Sequence, residues 1–68
     1  MEKTIINVEG MSCEHCEKAV TNAVAALDGV DSVKVSLEEN TVTVEYDEAQ
    51  VSVDEMKAEI EELGYDVV

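Results

Sequence analysis

The stretch SVKVSLEENTVTVEY, Ser32 to Tyr46, decides how this chain folds. Val33, Val35 and Leu37 alternate with polar residues, and after Glu39 and Asn40 the alternation resumes at Val42, Val44 and Tyr46. Period-two patterning on either side of a short polar break is the signature of a β-hairpin with one buried face. What flanks it is helical. From Glu14 to Leu27 the residues Cys16, Ala19, Val20, Ala23, Val24 and Leu27 recur at helical spacing, and Asp28-Gly29 supplies the stop. On the other side, Ser52 with Glu55 three residues later reads as a capping box. That second helix is expected to carry Val53, Met56, Ile60 and Leu63 inward and to end at Gly64. Outside the helices, Ile6 and Val8 alternate with Asn7 and Glu9 until Gly10, and Tyr65 to Val68 reads as a short closing strand.

The predicted order is therefore βαββαβ, an α+β ferredoxin-like sandwich with a four-stranded antiparallel sheet and two helices on one face. Following the chain up and down through that order brings the Gly10–Cys16 loop and the Gly64–Tyr65 turn to the same end. Tyr65 is thus predicted to be a neighbour of the thiols.

With 68 residues, the chain has room for one core, and residues 1–68 are expected to form a single domain. Seventeen acids against four lysines, a formal charge of −13, oppose binding to phosphate backbones and to anionic membrane surfaces. Nucleic acid is not an expected partner. The start, MEKTIINVEG, has no secretory pattern, and no apolar run approaches the ~18 residues a membrane span requires. A soluble cytoplasmic protein without membrane insertion is expected. In a reducing compartment its two cysteines would persist as thiols.

Both cysteines and the single histidine lie in GMSCEHC, Gly10 to Cys16. A thiolate is favoured at a helix N-terminus, where unpaired N–H groups stabilise negative charge. Cys16 falls on the predicted buried stripe and Cys13 does not, so Cys13 is expected to be the more exposed of the two. Two soft thiolates without other obvious ligands favour Cu(I), a soft ion that accepts low coordination. A structural zinc site would need four ligands, and Cys13, Cys16 and His15 supply three at most. His15 reads equally well as a solvated side chain or one that tunes the site by protonation. Met11 reads as a core residue rather than a thioether ligand. The acids Asp54, Glu55, Glu59, Glu61 and Glu62 of the second helix form either a solvated face or a docking surface for a basic partner.

GMSCEHC after a strand, a helix ending in LDGV (Leu27–Val30) and a terminal LGYDV (Leu63–Val67) together resemble the heavy-metal-associated domain, and within it the bacterial copper chaperones. The resemblance covers the whole chain. It implies that Cys13 and Cys16 bind Cu(I) and that the ion passes by thiolate exchange to the metal-binding domain of a copper-transporting P-type ATPase. It also implies that His15 and Tyr65 lie beside the metal without being its main ligands, and that Met11, packed in the core, and Ser12 complete the residues around it. The family includes mercury carriers and zinc or cadmium domains, so its fold does not select the metal. Zinc-type relatives often carry an acid before the first cysteine, where this chain has Ser12; Glu14 could still supply a harder ligand. The resulting expectation is a Cu(I) carrier rather than an enzyme, monomeric or bridged into a dimer by metal. A small dithiol oxidoreductase is the alternative of another class; the lack of tryptophan and proline speaks against the thioredoxin type. A domain cut from a longer copper ATPase is the third reading, and the start at Met1 with the end just after the last strand favours a free-standing protein.

Overall fold

The computed structural model describes residues 1–11 and 14–68. Its elements are β1 (Glu2–Glu9), α1 (Glu14–Ala25), β2 (Val30–Ser36), β3 (Thr41–Tyr46), α2 (Val53–Glu62) and β4 (Asp66–Val67). The four strands form one sheet in the order β2-β3-β1-β4. All the pairings are antiparallel, with Ile6 opposite Val42 and Thr4 opposite Val44 across β1 and β3, and Val8 opposite Val67 across β1 and β4. This is the ferredoxin-like arrangement expected.

Alternation along the strands separates the two faces of the sheet. Ile6, Val8, Val42, Val44 and Tyr46 are buried, and with Met11, Val20, Val24, Val51, Met56 and Ile60 they make the core. Val20 and Val24 come from α1 and Met56 and Ile60 from α2, so both helices cover the same sheet face. The intervening residues Lys3, Ile5, Asn7, Lys34 and Glu45 lie on the uncovered face and are exposed.

The hairpin turn falls where expected, and Asn40 adopts φ 54°, a left-handed conformation that asparagine tolerates better than most residues. Ser52 caps α2: its Oγ accepts a hydrogen bond from the Glu55 N–H at 3.3 Å. Removing that acceptor should cost about 1 kcal/mol. Ser52→Ala should therefore lower the urea midpoint modestly without changing the far-UV spectrum of the folded state.

Three boundaries differ from expectation. The first helix ends at Ala25 rather than Leu27, because Leu27 N–H turns back to the Val24 carbonyl at 3.1 Å, the tighter spacing of a helix end. Leu27 still packs against the core. Leu63 was expected to face inward and instead is 42% exposed. It is the C-cap residue of α2, where the chain is already leaving the helix for Gly64 at φ 98°. The closing strand shortens from Tyr65–Val68 to Asp66–Val67, with only a single further bond, from Val68 N–H to the Asn7 carbonyl at 2.9 Å.

Candidate metal centre

β1 delivers the chain to Gly10, and α1 carries it away from Glu14. Gly10 has φ 100°, a region that residues with a Cβ rarely adopt. The turn this allows ends β1 and leads the chain to Met11, only 3% exposed and a member of the core. Met11 is placed as an anchor of the loop, as its apolar character suggested. Ser12 and Cys13 lie outside the described residues, so their predicted roles are carried by the sequence alone.

Cys16 is the third residue of α1, half-buried and packed against the core. In this first turn the backbone N–H groups have no helical partners and favour negative charge at a nearby sulfur. Glu14 and Glu17 share that turn. His15, between the two cysteines in sequence, is exposed. Tyr65 is half-buried and packed against the core. A Cβ placed on Gly10 would stand 3.4 Å from Tyr65 Cδ1. The ring therefore covers the start of the loop at Gly10; its predicted nearness to the thiols rests on the sequence.

Gly10 is the part of the site that sequence reasoning undervalued, treating it only as the end of a strand. Its second use, leaving a bare backbone beside an aromatic ring, has no signal in the sequence.

An open βαββαβ sandwich with a Cys-x-x-Cys segment entering its first helix defines a class of small soft-metal-binding modules. The chain belongs to the heavy-metal-associated domain family, whose model matches residues 5–66. It is 57% identical to the copper chaperone CopZ of Staphylococcus haemolyticus over 67 residues, 98% of each chain. A solved CopZ metallochaperone superposes with a TM-score of 0.97 at 52% identity, covering 98% of this chain and 100% of that one. The N-terminal domain of a potential copper-translocating P-type ATPase from Bacillus subtilis, solved in its Cu(I)-loaded state, aligns with a TM-score of 0.92 at 33% identity. That alignment covers 97% of this chain and 82% of the solved one.

Proposed function

We propose that this chain is a copper chaperone that holds Cu(I) between Cys13 and Cys16 and passes it to the metal-binding domain of a copper-transporting P-type ATPase. The observation that carries the reading is similarity to a copper chaperone along nearly the full length of both chains. The place of Cys16 in the first turn of a helix, against the core, supports it. Support for Cu(I) as the cargo and for the ATPase domain as the acceptor comes from the Bacillus subtilis domain, which shares the fold and was solved with Cu(I) bound.

Cu(I) held by two thiolates has room for a third, so an acceptor cysteine can bind before either donor sulfur leaves. No electron is transferred in such an exchange: one Cu–S bond forms as another breaks. Cys16, packed against the core, is the last to release the ion, and Cys13 is the first to share it. Met11 keeps the loop anchored while the ligands change. The protein acts as a carrier, and no bond of a substrate other than Cu–S is made or broken. The charge of −13 adds attraction toward a basic docking face over a Debye length of about 8 Å in physiological salt.

The test is anaerobic competition of Cu(I), Zn²⁺ and Hg²⁺ for the protein in a thiol buffer, followed by stopped-flow transfer to a separate Cys-x-x-Cys acceptor domain. One Cu(I) per monomer at low loading is expected, with transfer faster than spontaneous release to a chelator. Transfer at the rate of spontaneous release would mean that the ion travels through solution, and the chaperone reading would give way to storage.

A further inference from the structure

Asp28-Gly29 carries the chain from α1 into β2. The Val30 N–H bonds to the Leu27 carbonyl at 3.3 Å, closing a four-residue turn with Asp28 and Gly29 at its centre. Gly29 has φ 96° while Asp28 keeps a negative φ, the combination of a type II turn, which favours glycine at its third position. The amide joining the two central residues takes no part in the closing bond. Its N–H, on Gly29, has no acceptor among the described residues, and no hydrogen bond among them holds the Asp28 carboxyl. Asp28 is exposed.

The four other aspartates are placed differently. Asp31 is the extra residue of the β2 bulge, and Ser32 after it is paired opposite Glu45. The Asp47 carboxylate is held, accepting from the Ala49 N–H at 3.0 Å and from Gln50 Nε2 at 3.2 Å. After Asp54, the Glu55 N–H is taken by Ser52 Oγ. Asp66 lies in β4 opposite Glu9 and is followed by the branched Val67. Among the described residues, Asp28 alone combines an unheld carboxyl with a following amide that is unbonded and whose residue carries no side chain.

We infer that Asp28-Gly29 is a self-modification site of the folded protein: the Gly29 nitrogen closes on the Asp28 carboxyl, and water reopens the ring to an isoaspartyl linkage that loosens the contact of this turn with Asp47 and Gln50. In the first step a bond forms between Gly29 N and Asp28 Cγ while a Cγ–O bond breaks, and the hydroxyl leaves with the amide proton as water. In the second, water adds at the former main-chain carbonyl of Asp28 and breaks its bond to Gly29 N. The chain then runs through Cβ and Cγ of residue 28, and the old main-chain carbon becomes a carboxylate. Water is lost and then regained, so the step needs no oxidant or reductant and leaves mass and net charge unchanged. Closure requires the Asp28-Gly29 amide to swing toward Cγ by a joint rotation about Asp28 ψ and Gly29 φ. That rotation leaves the bonds on either side of the turn in place, and glycine has accessible states at both signs of φ for it.

The new linkage adds one atom to the main chain directly before Gly29. The Gly29 carbonyl accepts the Asp47 N–H at 2.7 Å, and a Cβ on Gly29 would stand 2.6 Å from Gln50 Cβ. Lengthening the chain there displaces a close contact between the α1–β2 turn and the turn that precedes α2. Val30 and Glu2 both lie opposite Tyr46, at the other end of β1 from Gly10, so the loss falls on stability rather than on the cysteine segment.

The experiment is prolonged warm incubation of the reduced full chain at neutral pH. Isoaspartate is read with protein L-isoaspartyl methyltransferase, which esterifies the new carboxylate, and is located by peptide mapping with a protease that cuts before aspartate and no longer cuts at position 28. It should accumulate at Asp28 and at none of the other four aspartates. Asp28→Glu keeps the charge at an exposed position but would have to close a larger ring, and should accumulate none. Ile60→Val, a core change far from the turn that raises the unfolded population about fivefold, should leave the rate at Asp28 unchanged. The converted fraction, separated by chromatography, should unfold at a urea midpoint lower by about 1 M. Absence of isoaspartate at position 28 overturns the inference, as does equal conversion at the other aspartates. A rate that rises with Ile60→Val would assign the reaction to the unfolded chain, and a converted fraction as stable as the parent would remove the effect on the turn; either result overturns it too.

Discussion

Replacing Cys13 or Cys16 with serine should abolish tight Cu(I) binding while leaving the fold intact. An outer partner of a metal site is typically worth about 10–100-fold in affinity, and a thiolate that holds the ion itself should exceed that range. A hydroxyl is a poor substitute, being hard where sulfur is soft. The replacement at Cys16 strands no fully buried polar group, since Cys16 is only half-buried. The measurement is the same competition titration, paired with circular dichroism to establish that the variants remain folded. Undiminished affinity in Cys13→Ser would remove the two-thiolate site, and with it the exchange mechanism.

Gly29→Ala is the stability change expected to be largest. Gly29 has φ 96°, and a Cβ there would lie 2.6 Å from Gln50 Cβ, 3.3 Å from Val51 Cγ1 and 3.4 Å from the Asp47 carbonyl oxygen. The closest of these atoms is held against the backbone of a tight turn. Asp47 donates its N–H to the Gly29 carbonyl at 2.7 Å, and its carboxylate accepts from the Ala49 N–H at 3.0 Å and from Gln50 Nε2 at 3.2 Å. Val51 next to it is buried in the core. The left-handed conformation costs a residue with a Cβ about 1–2 kcal/mol, and displacing a packed turn adds about 1–3 kcal/mol. Against an expected total of about 3–10 kcal/mol for a chain this long, that is a large share. Urea unfolding should show a midpoint lower by about 2 M. Gly64→Ala is the control: Gly64 has φ 98°, but a Cβ there meets nothing within 4 Å. Only the conformational cost should appear. Gly29 precedes β2 at the end where Val30 and Glu2 both lie opposite Tyr46, far along the sheet from Gly10. Copper affinity of the folded protein should be unchanged in Gly29→Ala.

The parts of the fold legible in the sequence were those governed by local rules. Val42, Val44 and Tyr46 could be placed on a common face because strand alternation has a fixed period, and all three are buried. Ser52 and Glu55 announced a helix start because the bond between them spans a single turn. Leu63 was misplaced for a complementary reason: helical spacing carries it inward only if the helix continues, and the helix ends just before it. The bulge between Val30 and Ser32 in the β2–β3 register left no mark in the alternation pattern, since it depends on how two strands meet. Gly29 read as a helix stop, whereas its closeness to Gln50 is set by a turn that lies far along the chain. At the site, the cysteines, His15 and Tyr65 could all be nominated from residue type and topology. The use of Gly10 as the seat of the Tyr65 ring could not, because it depends on the absence of an atom.

The meeting of Gly10 with Tyr65 also sets an order of events during synthesis. The cysteine segment leaves the ribosome early, but the ring that covers the start of its loop, and the β4 residues that pair with Val8 and Glu9, are made only after most of the chain has followed. At about 5–20 residues per second, the delay is roughly 3–11 s. Throughout that interval β1 lacks β4, and for the earlier part it lacks β3 as well. The ring over the start of the cysteine loop is therefore among the last parts of the site to be made.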